Sequence, residues 1–257
     1  MQPRLVLGTM NFGGTFNGLV VFPSDETESA VWLETAVRLG FDYFDTAPIY
    51  TKGRAETLLG RYLTNKSKIY TKVGVDINHL SPKLDFTFSG LKASIEGSLK
   101  RLNRSTVEGI FIHNPSKEAL VRKDVYQFAQ WVKEQAITSN VGVALLDTSL
   151  ISVISEPALI DMVSVEVIHA EDAPAEMTKM GRWQKLFLRS PFEGGRKLKS
   201  VEGKQVRDVI RERLVEISTS FLPYSIIIGP RTVTQMTDYE SIAWPASSSS
   251  TAGVAQC

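Results

Sequence analysis

The stretch FDYFDTAPIYTKGRAETLLGRYLTNKSKIYTKVG, residues 41–74, has the pattern that decides the fold. Two short apolar or β-branched runs, Tyr43–Asp45 and Lys68–Lys72, stand on either side of Ala55–Thr64, a longer segment with apolar residues at helical spacing. Short runs of this kind predict buried strands, and apolar residues every three or four positions predict a helix. A strand, a crossover helix and a second strand in this order favour parallel strands.

The same alternation continues along the chain and predicts eight strand–helix pairs. The predicted strands are Leu5–Leu7, Tyr43–Asp45, Lys68–Lys72, Gly109–Ile112, Asn140–Val143, Met162–Val167, Lys185–Leu188 and Ser225–Ile228. The predicted helical segments are Glu28–Arg38, Ala55–Thr64, Thr87–Leu102, Lys117–Lys133, Leu150–Ser155, Ala175–Trp183, Gly203–Thr219 and Val233–Tyr239. An open doubly wound sheet is the alternative, but its dinucleotide-binding fingerprint G-x-G-x-x-G is absent from LGTMNFGG, residues 7–14. A closed (β/α)8 TIM barrel is therefore predicted.

Length and composition predict one domain followed by a short tail. The chain has 257 residues, of which 43% are hydrophobic, enough for one sizeable core. Residues 1–245 are therefore predicted to form the barrel. Residues 246–257, ASSSSTAGVAQC, are small, polar and unpatterned, and burial of such a segment could not repay the entropy of ordering it. A disordered tail is predicted there.

Charge and cysteine content exclude several function classes. The 29 Lys and Arg residues balance 28 Asp and Glu residues, so the basic excess typical of nucleic-acid binding is missing. No apolar run approaches the roughly 18 residues of a membrane span, so no membrane partner is expected. Cys257 is the only cysteine, which excludes an intramolecular disulfide and a multi-cysteine metal site. These features predict a cytoplasmic protein without a metal.

Three predicted strands in succession end in a titratable side chain. The runs FDYFD, SKIYTK and VEGIFIH end at Asp45, Lys72 and His113, and Tyr50 follows Asp45 after a short turn. Parallel strands of one barrel all end at the same rim, where barrel enzymes build their sites. Asp45, Tyr50, Lys72 and His113 are therefore predicted to converge at the C-terminal mouth of the barrel.

These four residue types together can form a polarised proton donor. A tyrosine hydroxyl has an ordinary pKa of about 10, and a neighbouring ammonium such as Lys72 favours the phenolate and lowers that pKa. Asp45 would keep the lysine charged and oriented. His113 could donate a hydrogen bond to a carbonyl oxygen on which negative charge develops.

The first half of the chain resembles the aldo-keto reductase superfamily, from Leu5 to about Pro115. The segments that carry the resemblance are GTMNFG, FDTAPIYTKGRAETLLGRYL, IYTKVG, SLKRLNR and IFIHNP. The resemblance implies the tetrad roles for Asp45, Tyr50, Lys72 and His113, with Tyr50 as the general acid. It also implies a nicotinamide cofactor, NADPH rather than NADH, bound across the barrel mouth without a Rossmann motif.

The second half adds cofactor-binding candidates by the same resemblance. LFLRSPFEGG, residues 186–195, is similar to the family loop over the pyrophosphate and places Ser190 at its hydroxyl position. SIIIGPRTVTQMTD, residues 225–238, is similar to the last strand and helix, where the resemblance implies that Arg231 binds the 2′-phosphate. The other implied contacts are Thr9 and Met10 for the nicotinamide, Gly229 at the strand end, and Gln235 and Asp238 for the adenine.

The chain departs from the family where the carboxamide of the nicotinamide is read. Ala144 and Leu145 stand at the usual Ser-Asn positions, Ser164 stands at the Gln position, and Arg189 replaces the aromatic residue that stacks on the ring. A guanidinium plane can stack on a ring, although its charge disfavours the oxidised, cationic nicotinamide. The chain is also shorter than most relatives. Altered cofactor binding is therefore expected.

The predicted function is NADPH-dependent reduction of an aldehyde or ketone, with hydride from the nicotinamide and a proton from Tyr50. Two alternatives stay open. One is a cofactor-binding regulatory protein on the same scaffold, like the potassium-channel β subunits. The other is a lyase or isomerase that uses Tyr50 and Lys72 as an acid–base pair. The sequence identifies neither the carbonyl substrate, the physiological direction nor the oligomeric state.

Overall fold

The computed structural model describes residues 3–239 except 11, 13, 17–18, 22–24, 80, 172, 174, 176–184 and 199–203. Residues 246–257 lie outside this range, so the disordered tail and the single domain over residues 1–245 stay predictions. Across the described residues, no helix combines the length and apolar character that a bilayer span requires.

Eight parallel strands close into a barrel, which confirms the predicted fold. In barrel order they are β1 (Arg4–Gly8), β4 (Tyr43–Asp45), β5 (Lys68–Val73), β8 (Gly109–His113), β9 (Val141–Ala144), β10 (Met162–Glu166), β11 (Lys185–Arg189) and β12 (Ser225–Ile228). The last strand pairs with the first, with Leu7 opposite Ile228. Each predicted strand is present, and its bounds differ from the predicted ones by at most one residue at either end.

Two small antiparallel hairpins were not predicted. They are β2 (Gly14–Phe16) with β3 (Leu19–Val21), and β6 (Val75–Asp76) with β7 (Lys83–Leu84). Strands of two or three residues leave too little alternation for a sequence pattern to indicate them. Both hairpins follow a barrel strand, so they belong to the connections at the C-terminal end of the barrel.

The helices lie in the connections between barrel strands. They are α1 (Glu26–Arg38), α2 (Arg54–Tyr62), α3 (Phe88–Leu102), α4 (Lys117–Leu120), α5 (Lys123–Glu134), α6 (Lys204–Phe221) and α7 (Val233–Thr237). Local capping defines several ends. The Asp25 side chain accepts the amide of Glu28 at the start of α1, and Thr87 accepts the amide of Gly90 at the start of α3.

Two predicted helical segments differ from the structure, and a third lies mostly outside the described residues. Lys117–Lys133 is two helices rather than one, because Arg122 adopts an extended conformation and Asp124 accepts the amide of Phe88 from α3. Leu150–Ser155 is wrong as an α-helix: the chain forms a 3-10 helix, Thr148–Val153, capped by Asp147. Almost all of Ala175–Trp183 lies outside the described residues.

Strand alternation divides the buried side chains into an inner and an outer core. Inside the barrel pack Val6, Tyr70, Phe111, Ala144, Met162 and Phe187, whereas the residues between them on each strand face the helices. A Cβ atom at Gly142 would lie 2.5 Å from the backbone oxygen of Met162, so this position requires glycine.

The same alternation identifies the side chains at the mouth. Residues two positions after the inward Tyr70, Phe111 and Phe187 are Lys72, His113 and Arg189, and Glu166 ends β10 in the same phase as inward Met162. Asp45 stands in this phase on β4. These side chains form the uppermost layer of the barrel interior.

Candidate active site

Asp45 and Lys72 form a buried ion pair at the mouth of the barrel. The Lys72 Nζ atom lies 2.7 Å from both carboxylate oxygens of Asp45 and also donates to the Thr46 carbonyl at 2.9 Å. Lys72 is 5% exposed and Asp45 is 4% exposed. Burial alone would lower the pKa of Lys72, but the Asp45 charge and the Tyr50 hydroxyl outweigh it and raise the pKa above its ordinary value. Lys72 is therefore a fixed cation.

Tyr50 lies against this cation on a strained turn. The Lys72 Nζ atom is 4.9 Å from the centre of the Tyr50 ring. Thr51 and Lys52 follow with φ angles of 49° and 51°, a left-handed conformation that is costly for a β-branched residue. The Thr51 hydroxyl donates to the Phe12 carbonyl at 2.8 Å, which ties the turn to the segment after β1. These contacts hold Tyr50 at the mouth.

The pKa of Tyr50 shifts in the opposite direction to the one predicted. Burial of the phenol raises its pKa, and the opposing effects of the Lys72 charge and hydrogen bond are smaller, so the net pKa lies above 10.0. The ammonium acts with the expected sign, but desolvation is the larger effect. Tyr50 is therefore a fully protonated phenol at neutral pH, which is the form that a proton donor needs.

His113 presents a neutral imidazole to the same layer. Burial, with smaller effects of the Lys72 and Arg189 charges, lowers the pKa of His113 to about 3. Among the described residues its buried Nδ1 atom has no hydrogen-bond partner, and the same holds for the buried Thr46 hydroxyl. Orphaned polar atoms of this kind cost free energy unless a ligand or water satisfies them. A polar ligand bound at the mouth would offer such partners.

Arg189 reaches across the mouth towards the neighbouring strands. Its Nη1 atom donates to the Ser164 carbonyl at 3.0 Å and its Nη2 atom donates to the Leu145 carbonyl at 2.7 Å. Its Nε atom lies 3.8 Å from an oxygen of Glu166. Burial lowers the pKa of Arg189, although Glu166 opposes that effect, and a guanidinium stays charged in proteins.

Glu166 is a site residue that the sequence reasoning missed. It lies opposite Arg189 in the β10–β11 register. MVSVE ends in an acidic residue, just as other barrel strands end in the titratable Asp45 and His113, so the strand-end pattern could have identified Glu166. The structure places the Ser164 side chain in the buried interior, and its carbonyl accepts from Arg189 and from the Leu145 amide.

Of the two candidate nicotinamide contacts that follow β1, Thr9 is buried and Met10 is exposed. Thr9 is fully buried and its hydroxyl donates to the Asp45 carbonyl at 3.0 Å, so this side chain braces β4. Met10 is 47% exposed and is free to face a ligand. Ala144 packs in the inner core and Leu145 in the outer core. Both side chains are aliphatic, so neither offers a hydrogen bond to the carboxamide.

The remaining cofactor candidates form a rim at the ends of β11 and β12. Ser190 has a φ angle of 59° and begins the turn that leads to the 3-10 helix Glu193–Leu198. Gly229 and Arg231 are exposed, and the Arg231 amide donates to the Gln235 side chain at 2.7 Å. Asp238 accepts from Arg207 at 3.2 Å. Arg231 therefore offers its guanidinium, whereas Gln235 and Asp238 already have partners.

The residues present fit a nicotinamide nucleotide. The mouth combines a phenol, a neutral imidazole and orphaned polar atoms, which suit an uncharged or weakly polar ring system. The rim offers an exposed arginine, and no described acidic side chain forms an ion pair with Arg231, which suits a phosphate. Within the described ranges, no group of three or more His, Cys, Asp or Glu side chains could hold a metal ion.

Known proteins match this chain over most of its length. The model of the Aldo/keto reductase family matches residues 4–219. D-threo-aldose 1-dehydrogenase from a Pseudomonas species is 26% identical over 189 residues, which are 63% of this chain and 56% of that protein. L-galactose dehydrogenase from Arabidopsis thaliana is 24% identical over 170 residues, 62% of this chain and 52% of that protein. The chain thus spans little more than half the length of these relatives.

Solved structures share the fold. An aldo-keto reductase from Bacillus halodurans, solved in its holo form, superimposes with a TM-score of 0.74 at 17% identity. The superposition covers 94% of this chain and 87% of the Bacillus chain. A glycerol dehydrogenase from Gluconobacter oxydans superimposes with a TM-score of 0.70 at 18% identity, over 94% of this chain and 86% of the Gluconobacter chain. At these identities the likeness concerns the fold alone.

Proposed function

This chain belongs to the aldo/keto reductase family, and we propose that it catalyses the NADPH-dependent reduction of an aldehyde or ketone to the alcohol. The observation that carries the proposal is the buried contact between Tyr50 and the Asp45–Lys72 pair, beside the neutral His113. The family membership and the dehydrogenases among its relatives support an oxidoreductase that uses a nicotinamide nucleotide.

The mouth residues divide the proton chemistry among them. When bound, a reduced nicotinamide nucleotide would supply a hydride for the carbonyl carbon. Tyr50 gives its hydroxyl proton to the carbonyl oxygen, and the Lys72 ammonium stabilises the phenolate that this leaves. Asp45 holds Lys72 charged and in place. The proton lost from Tyr50 is later restored from solvent, so the net reaction consumes one hydride and one proton.

His113 orients the carbonyl without adding charge. With a pKa of about 3, its imidazole is neutral at physiological pH and can donate a ring N–H to the carbonyl oxygen. A neutral donor suits this position because Lys72 and Arg189 already bring two positive charges to the mouth. A third charge there would be repelled by both.

The assignment of the cofactor residues follows the family resemblance. Thr9, Met10, Ser164 and Arg189 would adjoin the nicotinamide end, and Ser190 and Gly229 would adjoin the phosphates. Arg231 would bind the 2′-phosphate that distinguishes NADPH from NADH. Gln235 and Asp238 would lie beside the adenine. The exposed Arg231 guanidinium supports the preference for NADPH.

A direct assay tests the proposal. Purified protein is incubated with NADPH and a panel of uncharged aldehydes and ketones, and nucleotide oxidation is followed together with alcohol formation. We expect alcohol and oxidised nucleotide in equal amounts, and weaker NADPH binding in Arg231→Ala without an equal loss of NADH binding. Nucleotide binding without any turnover across the panel would favour the regulatory alternative. Dehydration or proton exchange without nucleotide would favour the lyase or isomerase.

A further inference from the structure

Arg189 is a cation with a fixed position in the mouth. It ends β11 in the inward phase of Phe187, and its two Nη atoms donate to the Ser164 and Leu145 carbonyls on the neighbouring strand and beyond it. Two hydrogen bonds to backbone of the barrel leave the guanidinium little freedom to turn towards solvent. Its charge therefore stays at the mouth whether or not a ligand is bound.

The Arg189 charge is less well balanced than that of Lys72. Lys72 contacts both oxygens of Asp45 at 2.7 Å, and both residues are buried. The acidic group nearest Arg189 is Glu166, at 3.8 Å, with a side chain that is 31% exposed. Solvent screens a partly exposed carboxylate and weakens its compensation of the neighbouring guanidinium. The mouth thus retains a positive potential on the β11 side.

Arg189 lies at the same mouth of the barrel as the proton donor. Its Nη2 atom contacts the carbonyl of Leu145, the residue after Ala144, which lies opposite His113 in the β8–β9 register. The Arg189 charge also acts on the pKa of both Tyr50 and His113. A hydride donor must contact the carbonyl carbon whose oxygen receives the Tyr50 proton. The nicotinamide ring of a bound nucleotide would therefore lie in the same mouth as the Arg189 guanidinium and would be exposed to its charge.

We propose that Arg189 makes the site bind the reduced nucleotide in preference to the oxidised one, which favours carbonyl reduction over alcohol oxidation. The inference rests on the proposed function. The reduced nicotinamide ring is neutral, whereas the oxidised ring carries a positive charge that Arg189 repels. Oxidised nucleotide then leaves readily after each turnover.

Binding constants measured without substrate test this preference. The dissociation constants of NADPH and NADP⁺ are measured by calorimetry for the wild type and Arg189→Gln. We expect the NADP⁺ to NADPH ratio of dissociation constants to fall by at least about tenfold in Arg189→Gln, from the loss of a unit charge near the ring. Arg38→Gln, a charge loss on the exposed surface of α1, should leave the ratio unchanged.

A second variant tests the same inference in the opposite direction. Glu166→Gln removes the partial counter-charge, so the NADP⁺ to NADPH ratio should rise above that of the wild type. This variant decides the matter if Arg189→Gln does not fold. Unchanged ratios in folded variants that bind both nucleotides would overturn the role of Arg189 and leave the proposed function intact. Failure of the wild type to bind either nucleotide would overturn both.

Discussion

Lys72 is the residue on which the charge balance of the mouth depends. It holds the Asp45 carboxylate, the Thr46 carbonyl and the Tyr50 hydroxyl around one buried ammonium. Removing one member of a buried ion pair leaves the other charge without compensation, which costs more than the pair itself contributes. The catalytic proposal and the stability of the mouth therefore depend on the same side chain.

Lys72→Met tests this dependence. Because the buried Asp45 carboxylate loses its partner, we expect the free energy of unfolding to fall by about 3–5 kcal/mol in urea titrations. Carbonyl reduction should be lost as well. Lys100→Met, at an exposed position of α3, is the matched control and should keep both properties. Wild-type stability in Lys72→Met would show that the Asp45–Lys72 pair is not buried as described.

His113 should make the stability of the protein depend on pH. Its pKa falls from 6.5 to about 3 on folding, so the unfolded chain binds a proton that the folded protein refuses. Stability is therefore complete above about pH 6.5 and is lost as the pH falls through this window towards 3. His113→Gln removes this linkage. Between about pH 7 and about pH 4.5, the free energy of unfolding of the wild type should therefore fall by about 2 kcal/mol more than that of His113→Gln.

Urea titrations of the wild type, His113→Gln and His169→Gln at about pH 7 and about pH 4.5 measure the effect of His113. The exposed His169→Gln serves as control and should follow the wild type. Parallel pH dependence in the wild type and His113→Gln would mean that His113 is protonated in the folded state.

At the scale of elements, a buried network joins two helices to the barrel. Glu56 on α2 is fully buried, accepts the Thr71 hydroxyl of β5 at 2.6 Å and accepts the Arg101 Nε of α3 at 2.7 Å. Thr71 directly precedes Lys72, so the network fixes the outer face of the strand that carries Lys72. Its loss should be felt at the mouth.

Arg101→Met tests the network by leaving the Glu56 carboxylate buried and unpaired. We expect a loss of about 3–5 kcal/mol in the free energy of unfolding, measured by urea denaturation. The control is Arg61→Met on α2. Its partner Glu26 is exposed, so the stability of this variant should stay close to that of the wild type. Equal effects of the two substitutions would contradict the structural role of Glu56.

Sequence pattern predicted the regular elements because their periods repeat over enough residues. Each of the eight barrel strands follows from an apolar run, and the short hairpins were missed because two or three residues show no period. Lys117–Lys133 divides into two helices at the extended Arg122, next to a contact between Asp124 and the amide of Phe88. Phe88 is distant from Asp124 in sequence. Such tertiary contacts leave no local signal.

The candidate site was predictable to the same extent. Asp45, Lys72 and His113 end successive strands, so the topology alone brings them together. The net pKa of Tyr50 was not predictable, because it depends on how deeply the folded chain buries the phenol. The contacts of Arg189 with the Leu145 and Ser164 carbonyls likewise require the coordinates.

At the scale of the whole molecule, closure of the barrel concentrates charge at one end. Strand β12 pairs with β1, so the C-terminal ends of all eight strands meet around one mouth. A chain that is almost neutral overall thereby brings Asp45, Lys72, Glu166 and Arg189 into a single layer. The proposed chemistry uses this layer to hold one phenol proton beside a substrate carbonyl.

The turnover number of Tyr50→Phe tests this account most directly. The substitution removes only the hydroxyl oxygen, so the fold and NADPH binding should remain as in the wild type. We predict that kcat for carbonyl reduction falls by about 10²–10⁴-fold, the usual contribution of a positioned proton donor. A Tyr50→Phe enzyme that is folded, binds NADPH and reduces carbonyls at the wild-type rate would contradict the account.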